Sequence, residues 1–119
     1  MTQWDGFVAF YRTDNLEATH QFYHEWLGLP LYKDQGACRI YQISSTALIG
    51  FCTHFPEVEP DGVILTFLTD AVDAIYEGLT ETRGVVIEQP PRENPDFKIY
   101  HFFLRDPNGY KVEIQKFLD

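Results

Sequence analysis

The feature of this sequence that most constrains its fold is an internal repeat. The segments Thr13–Ala18 (TDNLEA) and Thr69–Ala74 (TDAVDA) match at a spacing of 56 residues, and the same spacing places Gly28–Leu31 on Gly84–Ile87. A spacing that is shared by both ends of a segment indicates duplication of one supersecondary unit. The 119 residues are enough for one compact domain that contains both copies.

Each copy is predicted to begin with a strand and to continue into a helix. Residues 7–11 and 63–68 are rich in strand-forming side chains. An aspartate that can cap a helix follows in each copy, Asp14 or Asp70, and a second acid comes three residues later. Apolar residues then recur at helical spacing. The sequence therefore predicts one helix in each copy.

Three more strand segments follow the helix in each copy. Gly28 and Gly84 are predicted to end the helices. The second copy contains a proline-rich stretch, PPRENPDF, which we interpret as an extra loop, and residues 55–62 are interpreted as the linker between the copies. The expected strands lie at residues 31–33, 38–43 and 47–53, and at residues 85–88, 98–105 and 110–117.

Two stretches stand out within this doubled strand–helix–strand–strand–strand pattern. One is Asn15–Ala18 running into Phe22–Tyr23 and Leu27–Leu29, and the other is Asp106–Ile114 (DPNGYKVEI). Together with the repeat, they resemble the vicinal oxygen chelate superfamily of glyoxalases, bleomycin resistance proteins and dioxygenases, and the second stretch is similar to the closing element of that family. The resemblance extends over almost the whole chain.

The resemblance implies an α+β fold. Two βαβββ modules, at about residues 5–54 and 62–118, are expected to form a curved, mostly antiparallel open sheet with outer helices. Residues 1–119 would then make a single vicinal-oxygen-chelate-like domain. Members of the family include enzymes and proteins that only bind a small molecule, so the fold alone does not determine the function.

Many members hold a divalent metal with four side chains, one early in the first strand and one in the last strand of each module. The family pattern and the repeat assign these positions to Val8, Gly50, Ile64 and Glu113. Glu113 is the only candidate ligand among them, and hard cations need several oxygen or nitrogen ligands. We therefore expect no complete family-type metal site and no confident cofactor, with a divalent metal on atypical ligands as the alternative.

Strand alternation gives a hypothesis for the face that binds a ligand. If residues 106–109 form a four-residue hairpin loop, Phe102 lies across from Glu113, and by the repeat Arg39 lies across from Gly50. The opposite face, which includes His101, is then expected to pack against the helix. The candidate ligand-binding residues on the first face are Arg39, Tyr41, Cys52, His54, Tyr100, Phe102, Glu113 and Gln115.

Several roles follow from the chemistry of these side chains. Arg39 is suited to hold a carboxylate or phosphate, and Glu113 is the candidate catalytic residue, as a general base. Alternatively, Arg39 and Glu113 pair with each other. Cys52 and His54 form either a thiolate nucleophile or a metal-binding pair, whereas a buried cysteine is commonly inert packing.

Composition limits the partners. The formal net charge of −9 disfavours nucleic acid and anionic membrane surfaces, and the apolar runs are too short to span a bilayer. With two cysteines and no predicted signal peptide, the chain is expected in the cytoplasm. Aromatic residues make up 16% of the chain and are typical of small-molecule pockets as well as cores.

The sequence thus predicts a metal-independent protein that binds a small anionic or aromatic molecule, and the resemblance implies a homodimer. The alternative function is a metal-dependent lyase or dioxygenase-like enzyme with atypical ligands. A regulatory subunit without a pocket is the third hypothesis.

Overall fold

The computed structural model describes residues 3–119. The chain divides into two compact units, and the boundary falls between Val58 and Glu59. Each unit contains one helical region and one open four-stranded mixed sheet. The predicted α+β class and the doubled βαβββ order are confirmed.

The elements of the first unit are β1 (Phe7–Arg12), α1 (Leu16–His20), a π-helical segment (Gln21–Trp26), β2 (Leu31–Asp34), β3 (Cys38–Gln42) and β4 (Ala47–Cys52). Its helix changes from α to π geometry partway along, which differs from the single α-helix that the spacing predicts. The strand order in the sheet is β1-β4-β3-β2, with β1 parallel to β4 and the other pairs antiparallel.

The elements of the second unit are β5 (Ile64–Leu68), α2 (Val72–Thr80), β6 (Val86–Asn94), β7 (Ile99–Arg105) and β8 (Lys111–Phe117). A short 3₁₀ turn (Pro60–Gly62) precedes the first strand. The unit repeats the topology of the first with the order β5-β8-β7-β6, in which β5 is parallel to β8.

In both helices the N-cap residue lies one position later than predicted, at Asn15 instead of Asp14 and at Ala71 instead of Asp70. The side chain of Asn15 caps α1 by accepting a hydrogen bond from the Ala18 amide at 3.0 Å. Asp14 instead forms an ion pair with Arg12 at 2.6 Å. Ala71 occupies the cap position of α2 and has no capping side chain. The prediction that Asp14 and Asp70 cap the helices was therefore wrong.

The prediction that PPRENPDF forms a loop was also wrong in part, because β6 continues through the first two prolines of this stretch and ends at Asn94. β6 is the edge strand of its sheet, where a proline breaks no inner ladder of hydrogen bonds. The pairing of β6 with β7 shifts register on both sides of Gln89. Such bulges absorb the irregular backbone at the prolines.

The core of the first unit consists of rings between the helical segment and the sheet. Tyr23 stacks on Phe51 with ring centroids 4.5 Å apart, and both residues are fully buried. The hydroxyl of buried Tyr41 lies 2.9 Å from Nδ1 of His20 on α1. In the second unit, Phe102 of β7 packs edge-to-face on Tyr76 of α2 at 5.3 Å. Burial of rings of this size is a major source of stability.

Replacement of Tyr41 by phenylalanine tests the buried hydroxyl. Burial raises the pKa of Tyr41 above its ordinary value. The buried neutral hydroxyl therefore makes its full contribution to the free energy of unfolding below the pKa that tyrosine has in the unfolded chain, about 10. This contribution is lost as the pH rises through the higher pKa of Tyr41 in the folded protein. Tyr41→Phe should lower the free energy of unfolding by about 1 kcal/mol at pH 8 through the lost hydrogen bond.

This difference should shrink between pH 8 and pH 11, because only the wild-type protein has a hydroxyl at this position to ionise. Urea unfolding followed by circular dichroism at both pH values measures it. Tyr32→Phe is the matched control, since Tyr32 is an exposed tyrosine on β2. If the difference in the free energy of unfolding between wild type and Tyr41→Phe does not change with pH, the raised pKa of the Tyr41 hydroxyl is contradicted.

Candidate functional site

The register between β7 and β8 determines which residues share a face with Glu113. Arg105 pairs with Lys111, so the connection is the five residues Asp106–Tyr110 rather than the predicted four. Oδ1 of Asp106 accepts hydrogen bonds from the backbone amides of Asn108 and Tyr110 at 2.8 and 2.9 Å. These bonds keep Tyr110 within the turn. The pairing moves by one residue as a result, and Phe103 rather than Phe102 lies opposite Glu113.

Tyr100 and Phe102 consequently lie on the helix-packed face, so their predicted placement beside Glu113 was wrong. The hydroxyl of Tyr100 donates a hydrogen bond to Asp73 of α2 at 2.6 Å, and this bond raises the pKa of Tyr100. Phe102 is fully buried against α2. Neither ring faces the side of the sheet that carries Glu113.

Glu113 is the centre of a buried polar cluster on the other face of this sheet. Its carboxylate accepts a hydrogen bond from Thr66 Oγ1 at 2.8 Å and lies 2.6 Å from Nδ1 of His101. The carboxamide of Gln115 fits its neighbours with the nitrogen toward Glu113, and it then donates over 2.9 Å and 3.2 Å. The predicted shared face of Glu113 and Gln115 is present.

His101 is the residue that the sequence reasoning missed. We expected it on the helix-packed face, but it is 4% exposed and bonded to Glu113. The signal that could have identified it is the acid at the start of DPNGY, which favours a turn closed by its own side chain. A five-residue turn places His101 on the same face as Glu113.

Two polar atoms in this region are buried without a partner among residues 3–119. They are Nε2 of His101 and Nε2 of Gln89, which pairs with Phe103 in the neighbouring row of the sheet. An unpaired buried polar atom costs about 1–3 kcal/mol. Such atoms mark places where a hydrogen-bonding partner is expected.

The pairing of Glu113 with His101 gives the imidazole a defined role. A neutral ring that donates its Nδ1–H to the carboxylate has an unprotonated Nε2, which can accept a hydrogen bond or a proton. A carboxylate in this position orients the imidazole and stabilises its protonated form, as in hydrolase triads. In this arrangement Glu113 can orient the imidazole through Nδ1, and Nε2 is the ring nitrogen that is left without a hydrogen-bond partner among residues 3–119.

The surroundings of the cluster combine apolar and charged groups. Ile64 and Leu68 of β5 share its face and are 56% and 63% exposed. The ammonium of Lys111 lies 4.7 Å from the ring centroid of Phe103. An open cleft of about 320 Å³ adjoins the cluster through Gln115, and its lining is Leu68, Thr69, Asp70, Gln115, Lys116 and Phe117.

The predicted ligand-binding arginine of the first unit has two acidic partners. Arg39 pairs with Phe51 in the ladder, not with Gly50, so it lies on the helix-packed face. Its guanidinium donates to Glu17 at 2.6 Å and lies 3.7 Å from Asp34. The hydrogen bond to Glu17 raises the pKa of Arg39. Tyr41 lies on the same face, so the predicted ligand-facing placement of both residues was wrong.

The space beside Gly50 is filled. A Cβ atom at this position would lie 2.5 Å from two ring carbons of Phe10, which pairs with Gly50 across β1 and β4. The ring of Phe10 also packs edge-to-face on Phe55 at 6.1 Å. The glycine therefore accommodates an aromatic ring rather than a ligand.

Cys52 is joined to Cys38 by a disulfide across the β3–β4 pair. A disulfide sulfur is not a thiolate, so the predicted nucleophile is not present in this state. Nδ1 of His54 lies 3.8 Å from Sγ of Cys38, and its ring contacts Phe55. The two sulfur atoms and an imidazole nitrogen of His54 lie within 4.8 Å of one another. Within residues 3–119 this is the one group of three or more His, Cys, Asp or Glu side chains close enough to hold a metal ion together.

The family-type metal positions do not fit a divalent ion. Val8 and Ile64 offer hydrocarbon side chains, and Gly50 offers none. Glu113, the remaining position, is bonded to its own neighbours. These four positions therefore offer one carboxylate in place of a set of metal ligands.

Residues 7–114 match the sequence model of a protein family, the glyoxalase/bleomycin resistance protein/dioxygenase superfamily. Similar crystal structures include a protein described by the same three names from Nocardioides, with 18% identity, a TM-score of 0.78, and coverage of 100% of this chain and 87% of that one. A family enzyme from Burkholderia phytofirmans PsJN has 22% identity, a TM-score of 0.77 and coverage of 93% and 97%.

A glyoxalase-related enzyme from Fulvimarina pelagi has 20% identity, a TM-score of 0.76 and coverage of 97% and 88%. At these identities the likeness concerns the fold. The comparison with functionally curated proteins found no significant match. No helix in the described part of the chain is long and apolar enough to cross a membrane.

Replacement of Gly50 by alanine tests the packing of Phe10. The added methyl group would overlap the ring, and Gly50→Ala should lower the free energy of unfolding by about 1–3 kcal/mol. Phe10→Ala in the same chain should remove most of this loss, since the obstructing ring is then absent. Urea denaturation of the two single variants and the double variant measures the coupling.

Gly62→Ala is the control, because nothing lies within 4 Å of a Cβ there and Gly62 has no positive φ. Equal losses for Gly50→Ala with and without the Phe10 ring would refute the contact.

Proposed function

The chain belongs to the glyoxalase/bleomycin resistance protein/dioxygenase superfamily, and we propose that it binds a small molecule through the Glu113–His101 pair without the family-type metal. The observation that carries this proposal is the buried Nε2 of His101, which has no hydrogen-bond partner in the described range 3–119. If the ring is neutral and donates its Nδ1–H to Glu113, Nε2 is the acceptor that faces a ligand. A ligand hydroxyl or N–H would satisfy it.

The surroundings support a ligand that is partly apolar. Exposed Ile64 and Leu68 on the same face provide hydrocarbon contact, and Phe117 is among the residues that line the adjoining cleft. The acidic partners of Arg39 remove the main argument for an anionic ligand. We therefore favour the aromatic class expected from the sequence, in the form of a ring that carries a hydroxyl group.

A proton transfer is the chemistry that this arrangement supports, should binding lead to a reaction. His101 would accept the ligand proton at Nε2, while Glu113 stabilises the imidazolium through Nδ1. Glu113 then acts by positioning His101 instead of serving as the general base that the sequence suggested. Both roles remain proposals.

Three other expectations also stay predictions: the homodimer, the cytoplasmic location, and ligand binding by the remaining candidates, which are Arg39, Tyr41, Cys52, His54, Tyr100, Phe102 and Gln115. The alternative, a metal-dependent lyase or dioxygenase-like enzyme, would need ligands beyond Glu113. Metal analysis of untagged protein after incubation with manganese, iron, nickel and zinc salts separates the two functions. Retained metal in equal amount to protein, lost in Glu113→Ala, would favour the enzyme.

Ligand-observed saturation-transfer NMR with phenol, catechol and 2-naphthol tests the binding proposal. Their methyl ethers are the matched probes, because they keep the ring and lose the hydroxyl donor. We expect at least one hydroxylated probe to bind and its ether to bind about tenfold more weakly or not at all, as the ether leaves Nε2 unpaired. Equal binding of each alcohol and its ether would contradict the proposal, and so would no binding.

Variants then assign the binding to the cluster. His101→Phe keeps a ring of similar size and removes Nε2, so it should abolish the preference for the hydroxyl group. Glu113→Gln should leave the fold intact and weaken binding by up to about tenfold, because a neutral acceptor orients the imidazole less strongly. Glu93→Gln, an exposed carboxylate on β6, is the control. Unchanged affinity in His101→Phe would remove the pair from the site.

A further inference from the structure

A second cluster of chemically active side chains lies in the first unit and is not used by the proposed function. Cys38 begins β3 and Cys52 ends β4, and the two residues are direct partners in the antiparallel ladder. His54 follows two residues after β4. Their two sulfur atoms and an imidazole nitrogen all lie within 4.8 Å of one another.

We propose that reduction of the Cys38–Cys52 disulfide converts this cluster into a site for one zinc-type divalent ion, held by both thiolates and Nδ1 of His54. Two thiolates and an imidazole are the ligand set that such ions prefer over oxygen ligands. A water molecule would complete the tetrahedron. None of these three residues occupies a family-type metal position.

The geometry of the His54 imidazole supports the site. A tetrahedral ion with bonds of about 2.3 Å to sulfur and 2.0 Å to nitrogen places those two ligand atoms about 3.5 Å apart. Nδ1 of His54 lies 3.8 Å from Sγ of Cys38, which is close to this edge length. The two sulfur atoms are bonded to each other in the oxidised state and need only separate to open the site.

The backbone around the cluster is held by contacts that do not involve the sulfur atoms. The Thr53 amide donates to the Ala37 carbonyl at 2.9 Å, and the Thr13 amide donates to the Cys52 carbonyl at 3.1 Å. The ring of His54 packs on Phe55 at 4.7 Å. The side chains would therefore remain near one another after the disulfide is broken.

The redox step balances with a dithiol as the reductant. One thiolate of the dithiol attacks a sulfur of the Cys38–Cys52 bond, which forms a mixed disulfide and releases one cysteine thiolate. The second thiolate of the dithiol attacks the mixed disulfide and releases the other cysteine thiolate. The products are two cysteine thiols and the oxidised dithiol, after transfer of two electrons and two protons. The ion then replaces the two thiol protons, which are released to solvent.

The oxidised and metal-bound states exclude each other, because the same two sulfur atoms form either the S–S bond or the metal bonds. Buried Cys38 and Cys52 restrict access, while exposed His54 gives the ion a route in. Disulfides that persist in a reducing compartment are commonly redox-sensing. The site would thus bind metal only under reducing conditions.

Anaerobic titration with Co²⁺, a spectroscopic substitute for zinc, tests the proposal on the full chain. The protein is reduced with dithiothreitol and desalted, and a second sample is left oxidised. We expect the reduced sample to bind one Co²⁺ per chain, with thiolate-to-cobalt charge-transfer absorption, and the oxidised sample to show no such absorption. Absence of the absorption in the reduced protein would overturn the site, as would equal binding by both samples.

Variants identify the ligands. His54→Ala should weaken Co²⁺ binding by at least about tenfold, since even supporting contacts of metal ligands have effects of that size. Cys52→Ser should remove most of the charge-transfer absorption. The control is the double variant His20→Ala/His24→Ala, because those two rings stack at 4.6 Å and offer a competing imidazole pair. Loss of binding in that control, or unchanged binding in His54→Ala, would overturn the proposal.

Alkylation with iodoacetamide and mass spectrometry tests the redox gate separately. Both cysteines should resist alkylation in the oxidised protein and react after reduction and unfolding. Full alkylation of unfolded protein without reductant would show that no disulfide forms and would overturn the gate. His101→Phe should not alter the Co²⁺ titration, so failure of the ligand-binding proposal would be distinguishable from failure of this one.

Discussion

The turn closed by Asp106 sets the register between β7 and β8, and the candidate site depends on that register. By accepting two backbone hydrogen bonds, the carboxylate keeps Tyr110 within the turn, so Lys111 is the first paired residue of β8. Side chains alternate between faces with a period of two, and a shift of one residue would exchange the faces of one strand. His101 would then point toward α2, and Glu113 would lose its imidazole partner.

The repeat was sufficient to predict the order of the elements, because hydrophobic periodicity is set locally by burial of one face. It could not give the register, which depends on the conformation of a turn. The placement of Glu113 with Gln115 was right because both belong to one strand, whereas Tyr100 and Phe102 were assigned across the turn. The same assumed register was carried from the second copy to the first, and it misplaced Arg39 for the same reason.

The two units share a backbone pattern but differ in the chemistry of equivalent positions. In the second unit, Thr66 and Glu113 lie opposite each other on β5 and β8 and form a hydrogen bond. The equivalent strands of the first unit place the ring of Phe10 over Gly50. One sheet thus presents a polar cluster, and the other an aromatic contact beside a disulfide. This divergence supports a ligand site built from the side chains of one unit.

The proposed ligand contact depends on one property of His101: its Nε2 must carry no proton, so that it can accept a hydrogen bond. Long-range ¹H–¹⁵N correlation NMR of the imidazole at neutral pH reports which nitrogen carries the proton, with His101→Phe identifying the signal. We expect the proton on Nδ1 and a shift of the Nε2 resonance when a hydroxylated aromatic probe is added. A proton on Nε2 in the free protein, whether or not Nδ1 also carries one, would contradict this assignment.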